Sequence, residues 1–399
     1  MNIKGLLLGS AAAMVAVSGA RAADAVVIAE PEPMEYVRIC DTYGVGFYYI
    51  PGTETCLKVS GYVRYDIGIG DTNGLVDVVD KDDIDDAFFD DRDVDTNDTY
   101  FKRARFQLRV DSRTETELGT LRTYAAVNFN YDTQTNGVKV FGIQIDPGAY
   151  GYGITTSNDY VSIEHAYIEL GGFRVGKTDS LFSTFTGYAS GVANDGIIPY
   201  GPFGTHQIAY TFNGGNGFSA AVALETGDGG GTGSYLPAPT PISIDAFAID
   251  SYVPHVVGGV GYTGGWGGVS LVAGYDSVWE EFAVKGRVDF NIGDALSAFV
   301  MAGWGSKDDD NFGLNYYAQW GGDWAFWLGG AWKFSEKMTA NLEIGYDDFD
   351  NFSTVVGLDY YLVDNFLIKP EIIYTDNFDS DDDADAFGGF LRLQANFGG

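Results

Sequence analysis

The sequence predicts an all-β fold: a transmembrane, antiparallel, up-and-down β-barrel of about sixteen strands, with short periplasmic turns, long external loops and one loop folded into the lumen. The first observation behind this is strict alternation of apolar and polar residues. Leu57, Val59, Val63, Tyr65 and Ile67 oppose Lys58, Ser60, Arg64 and Asp66, and Leu121, Ala125, Val127, Phe129 and Tyr131 oppose Arg122, Asn128, Asn130 and Asp132. The period recurs through Met338, Ala340, Leu342, Ile344 and Tyr346 and in the closing "FLRLQANF", as expected of strands with one apolar and one wet face. The second observation is connection length. Short turns stand at "NGGNG", "GGWG", "IGDA", "SEK" and "VDN", whereas the longest links cover residues 71–98, 132–159, 178–204 and 227–254. A soluble sandwich has no physical reason to keep its long loops at one end; an outer-membrane barrel does. Third, an export address is followed by no uninterrupted apolar run of roughly 20 residues, so strands rather than helices must cross the bilayer.

Taken in order, Lys4, the run "GLLLGSAAAMVAV" and "ARA" at residues 20–22 make residues 1–22 a signal peptide, with the mature chain starting at Ala23. Residues 23–56 form an N-terminal segment carrying both cysteines, Cys40 and Cys56. An exported protein can keep a disulfide between them, closing a loop of about 15 residues and stabilising by roughly 3 kcal/mol; two free buried thiols are the alternative. Residues 57–399 are the barrel. Its apolar parity faces lipid, and closure removes edges that hydrocarbon cannot satisfy. Phe212, Phe218, Phe290, Phe334 and Phe366 beside the turns, and Tyr131, Tyr346 and Tyr374 beside the loops, are placed to form two aromatic girdles. Pro370 interrupts its strand, because it brings no amide donor to the ladder.

"FKRARFQLRVDSR" carries the functional signal. Arg103, Arg105, Gln107, Arg109, Asp111 and Arg113 share one parity, opposite Ala104, Phe106, Leu108 and Val110. Arginine on a barrel's lipid face costs about 2–4 kcal/mol at the midplane, so four in one strand must face the lumen. Arg64, Arg122, Arg174, Lys285, Arg287, Lys369 and Arg392 share the polar parity of their strands. Like charges in a row persist when water fills the interior, which implies an aqueous pore. The alternative is an ion-paired, plugged interior neutralised by Asp66, Asp111, Glu169, Glu343 and Glu371. Residues 178–204 are poor in charge, with Asp195 the only acid after Asp179. This loop is expected to fold inward and turn Asp195 toward the arginines; a lid or subunit contact outside the barrel is the competing reading.

A net charge of -33 makes a nucleic-acid partner unfit. The acids concentrate in residues 77–98, 307–311 and 379–386, read as solvated loops, with loose divalent binding as the sharper alternative. "GGFRVGKT" spells a phosphate loop, yet no helical period follows it and a strand restarts at "FRV". His165, His206 and His255 stand in separate strands, read as wall or interface residues, and no G-x-S-x-G is present. We therefore expect no enzyme activity, no cofactor and no metal site.

The order "AEPEP", "YVRIC", "IPGTETCL", "GYVRYD", "FKRARFQLRVDSRTETELGTLRTY", "GGFRVGKTDS" and "GGFLRLQANF" resembles the alphaproteobacterial porins of rhizobia and brucellae over essentially the whole chain. The resemblance implies a homotrimer of sixteen-stranded barrels in the outer membrane, surrounded by lipid and lipopolysaccharide, with a third loop inside and passive diffusion of small hydrophilic solutes and ions. It puts Arg103, Arg105, Arg109, Arg113 and Arg122 on the basic side of a constriction and the loop around Asp195 opposite. Two departures are Gly398 and Gly399 after the terminal aromatic Phe397, and an inner loop light in acids. The function expected is a general diffusion porin; the alternative is a structural or adhesive barrel with a closed lumen and acidic loops that bind divalent ions.

Overall fold

Alternating side chains on twisted antiparallel strands put one parity outward and one inward, and sixteen such strands close here. The structure, a computed structural model, describes residues 38–73, 78–80, 96–136, 138–140, 143–145, 154–227, 232–234, 243–245, 247–307, 314–378 and 385–398. The expected signal peptide, residues 1–22, and most of the acidic runs lie outside these. Residues 39–399 form one unit. Its strands are β1 (Cys56–Gly70), β2 (Phe101–Thr116), β3 (Gly119–Asn136), β4 (Ile154–Leu170), β5 (Phe173–Asp179), β6 (Gly204–Asn213), β7 (Phe218–Glu225) and β8 (His255–Gly264). They continue as β9 (Gly267–Asp276), β10 (Glu281–Ile292), β11 (Leu296–Gly305), β12 (Trp324–Lys333), β13 (Met338–Asp347), β14 (Asn351–Val363), β15 (Phe366–Asn377) and β16 (Ala386–Phe397). Each pairs with the next, and β1 pairs with β16 from Gly61 opposite Phe397 to Gly70 opposite Gly388.

One end carries only tight turns, residues 117–118, 171–172, 214–217, 265–266, 293–295, 334–337 and 364–365. Gly171 and Gly172 both have positive φ, +58° and +91°, the two-residue turn whose twist matches the flanking strands. The other end holds the long links, but 277–280 and 348–350 there are as short as turns, so the asymmetry is less complete than the sequence suggested. Val63, Phe106, Phe129 and Ile208 point outward and exposed, as their parity predicts. Of the expected girdle residues, Phe212, Phe218, Phe290, Phe334 and Tyr131 are exposed, while Phe366, Tyr346 and Tyr374 are partly covered.

Pro370 is accommodated by a local gap. It pairs with Leu391 of β16, whereas the ladder to β14 jumps from Gly357–Glu371 to Tyr360–Ile368. The missing donor thus faces a break in pairing, where no partner is left waiting.

The inner face is two halves of different character, which parity did not foresee. From β6 to β12 each strand also turns an apolar residue inward: Ala209, Ala223, Val257, Val272, Ala283, Met301 and Trp327 are buried there. Two links fold in and cover them. Residues 180–203, hereafter the inner loop, contribute Leu181, Phe182, Ile198 and Tyr200, and residues 314–323 contribute Tyr316, Tyr317 and Trp320. Glycines on the wall admit these rings: a Cβ at Gly259 would lie 2.5 Å from Phe185, at Gly274 2.5 Å from Tyr317, and at Gly303 2.7 Å from Trp320. The larger core of this protein therefore lies inside the barrel against β6–β12, a smaller one joins Val192 to Val355, Ile373 and Phe390 of β14–β16, and the cavity described below lies along β1–β5.

The N-terminal segment finishes the wall. Tyr48–Tyr49 pairs with Leu57 and Cys56 on the edge of β1 that β16 leaves bare below Gly61, and Cys40 is disulfide-bonded to Cys56 with Cα atoms 6.0 Å apart. Gly398 has φ +70°, and a Cβ on it would sit 2.1 Å from the carbonyl oxygen of Val59. The glycine after the terminal aromatic is what lets the chain end fold tightly against β1.

Candidate functional site: a polar passage beside the arginine wall

β2 turns Arg103, Arg105, Gln107, Arg109, Asp111 and Arg113 to the lumen, and their partners divide them into tiers. Toward the long-loop end, Arg103 Nε donates to Asp132 Oδ2 at 2.8 Å, and Tyr160 donates to the same oxygen at 2.9 Å. Toward the turns, five charges alternate across four strands. Arg113 and Arg122 both donate to Asp111 Oδ2, at 2.8 and 2.9 Å; Arg122 also donates to Glu169 Oε2 at 2.8 Å, and Arg174 Nε donates to Glu169 Oε1 at 2.8 Å. The rings of Tyr124 and Tyr167 lie 4.9 and 5.5 Å from the Arg122 guanidinium, and Tyr167 lies 4.9 Å from that of Arg174. Between the tiers, Arg105 Nε donates to Asn130 and Arg109 Nε to Gln107, which are neutral acceptors. Among the described residues Arg105 and Arg109 make no ion pair. Arg64, opposite Arg105 in the ladder, shares Asp66 with Arg392 at 3.4 and 2.9 Å and lies 5.0 Å from the Tyr62 ring.

The ion-paired interior weighed as an alternative is therefore present in part. Asp66, Asp111 and Glu169 neutralise most of the arginines, but not the pair at mid-height. That pair borders a cavity of about 500 Å³ bounded by β1–β5 and the inner loop. Arg64, Arg105 and Arg109 line one side; Glu164, Asp179 and Asp195 line it from β4, β5 and the inner loop, with Lys177 of β5 among them, its Nζ donating to Ile163 O. Tyr188 donates to Asp179 at 2.6 Å and Tyr200 to Asp195 at 2.9 Å. Burial in the loop pushes the Asp195 carboxyl above the usual carboxylate range, opposed by the Tyr200 hydrogen bond. A second cavity of about 490 Å³ adjoins the turns, lined by Arg113, Arg122, Arg174, Glu169 and Tyr43.

The inner loop is anchored to the far wall by side chains assigned from sequence to the pore lining. Lys285 is fully buried and donates to the carbonyl of Tyr200, Arg287 to that of Tyr188, and Lys369 to that of Gly191. Glu371 accepts from the Ala193 amide and from Asn194, and Trp327 Nε1 donates to Ile198 O at 3.0 Å. These cations satisfy backbone carbonyls of the inner loop from the wall side. The expected inward loop is thus found, and the wall cations of β10 and β15 serve it instead of facing the passage.

Parity missed Glu164 and His165. The register between β3 and β4 slips between Ala126 and Val127, leaving one extra residue on β4. Such a bulge turns adjacent side chains to one face, so both residues line the cavity, with His165 Nδ1 3.0 Å from Thr178 Oγ1. A bulge leaves the alternation out of step on its two sides, Val161 and Ile163 outward before it and Ile168 after, which is the signal that was available. His206 is exposed; His255 opens β8 in the wall, opposite Glu225, and is fully buried. Its Nδ1 accepts from the Ser277 amide and its Nε2 donates to Phe247 O, both at 3.0 Å. The Ser277 hydroxyl, 3.5 Å from Nδ1, donates instead to Val253 O at 2.9 Å. Gly176, Lys177 and Thr178 of the apparent phosphate loop all lie within β5, and a single helical turn, α1 (Leu181–Thr184), follows, capped by Ser180. The sequence showed no helical period there. A strand through the motif leaves no cradle of amides for phosphate.

Comparison with known proteins agrees with this architecture. The chain is 46% identical over 406 residues to porin Omp2b of Brucella neotomae and 46% identical over 408 residues to porin Omp2b of Brucella abortus (strain 2308), in each case covering 100% of both chains. The outer membrane channel DcaP of Acinetobacter baumannii shares the fold, with a TM-score of 0.57 at 17% identity, over 88% of this chain and 99% of that one. The family described as the Porin subfamily matches residues 24–398. An inward-folded loop, a closed sixteen-stranded wall and a polar passage between them are what a passive outer-membrane channel requires, and the chain belongs to the Porin subfamily.

Proposed function

We propose that small hydrophilic solutes and ions cross the outer membrane through the cavity between β1–β5 and the inner loop, selected by size and charge without chemistry or energy input. The observation that carries this reading is the pairing pattern. Arg105 and Arg109 keep their charge unneutralised on one side, while Glu164, Asp179 and Asp195 stand on the other. Opposed fixed charges across a narrow aqueous waist order water and disfavour apolar solutes. The ion-paired tiers above and below hold the wall rigid around it. Arg64 completes the basic side, whereas Arg103, Arg113, Arg122 and Arg174 act mainly as framework. The full assembly in this reading is a homotrimer embedded in lipid and lipopolysaccharide, exported by a cleaved signal at residues 1–22, and it has no enzymatic activity.

Deleting residues 189–195 and recording single channels in planar bilayers tests the reading. A larger conductance and a raised solute cutoff are expected. Unchanged values would remove the inner loop from the path, and absence of stepwise current in the unaltered protein would favour the closed structural barrel.

A further inference from the structure

At the turn end, the disulfide-bonded segment does more than complete the wall. Phe47, just before the short strand, lies over the lumen-facing side of β1 and β2: its ring centroid is 4.9 Å from the Arg113 guanidinium and 5.9 Å from Lys58 Nζ. Tyr43 covers Arg113 as well, at 5.5 Å, and its hydroxyl donates to Glu115 at 2.7 Å. Lys58 Nζ donates to the carbonyl of Val45 at 3.0 Å. Cys40, Phe47 and Cys56 form a small buried cluster of their own, and Tyr43 lines the second cavity. We infer that residues 40–56 form a collar at the turn-side mouth, a second selectivity element that shields two lumen cations, Lys58 and Arg113, from passing ions.

The inference rests on the channel reading above and adds a residue set to it. An ammonium bonded to a backbone carbonyl and covered by an aromatic ring, and a guanidinium with carboxylate at its edge and rings on its face, present little charge to the passage. The collar is held over them by a bond whose oxidation the periplasm favours, since turn ends face that compartment. Opening it returns the Lys58 ammonium to the lumen and uncovers the face of Arg113, which keeps Asp111 at its edge. At roughly 10 Å, an effective dielectric of about 20 and a Debye length of about 8 Å, the uncovered Lys58 charge raises local anion density about two-fold.

The test uses the full-length channel in planar bilayers under a salt gradient, before and after a membrane-impermeant phosphine reductant, with thiol labelling to prove that Cys40 and Cys56 are both free. Reduction should raise the anion-to-cation permeability ratio at least about two-fold and leave the Lys58→Gln/Arg113→Gln channel unchanged. An unaltered ratio in the fully reduced wild-type channel overturns the collar, and so does an equal shift in the double variant. Absence of stepwise current before reductant overturns the channel reading, and this inference with it.

Discussion

Replacing Arg105 and Arg109 together by glutamate is the perturbation that weighs most on the reading, because these two arginines have only neutral acceptors, Asn130 and Gln107. The double reversal changes the fixed charge beside the passage by four units. A sphere of the cavity's 500 Å³ has a radius of about 5 Å, so an ion inside passes roughly 6 Å from these groups. Even at the dielectric of bulk water, one unit charge at that distance contributes about 0.7 kcal/mol, and physiological salt about halves it. Four units then favour a cation by about 1.3 kcal/mol and disfavour an anion equally, changing the permeability ratio well over ten-fold. The assay is the reversal potential across a planar bilayer in a ten-fold KCl gradient, on protein shown to be folded by heat-modifiable migration. A reversal potential equal to that of the wild type would refute the assignment of these residues to the ion path.

Two further outcomes follow from the same geometry. Because burial raises the Asp195 carboxyl above the ordinary range, acidification should protonate it earlier than an exposed aspartate. Its negative charge is present at high pH and lost as pH falls through the raised value, so anion permeability should rise there; Asp195→Asn should show the acid-like selectivity at neutral pH and lack that step. Val127 lies opposite Leu108 on the outward parity, and Val127→Arg should cost about 2–4 kcal/mol if near the midplane. It is expected to lose the heat-modifiable band, whereas Asn128→Arg on the inward face should keep it. Equal yields of folded barrel from both variants would contradict the assigned faces.

How far these residues could be read beforehand differs by region. Along β1–β3 the inward set was legible residue by residue, because the two faces meet different solvents and composition follows the solvent. Along β7–β12 it was not: "HVVGGVGYTG" is apolar or glycine at nearly every position, and nothing local says that the inner face waits for Phe185, Tyr317 and Trp320. Lys285, Arg287 and Lys369 misled for a related reason. A cation on the inward parity can meet water or a loop carbonyl, and only the path of the inner loop decides which.

The chain's own alternation, turn chemistry and arginine parity suffice for a closed bilayer-crossing barrel with a charged interior, since each follows from which solvent a single strand face contacts. Where the passage runs is another matter. It depends on which cations find carboxylates two strands away, on a bulge that brings Glu164 and His165 to one face, and on loops that fill one half of the lumen and spare the other. Those are meetings of residues distant in sequence, and they come into being only when the wall has closed.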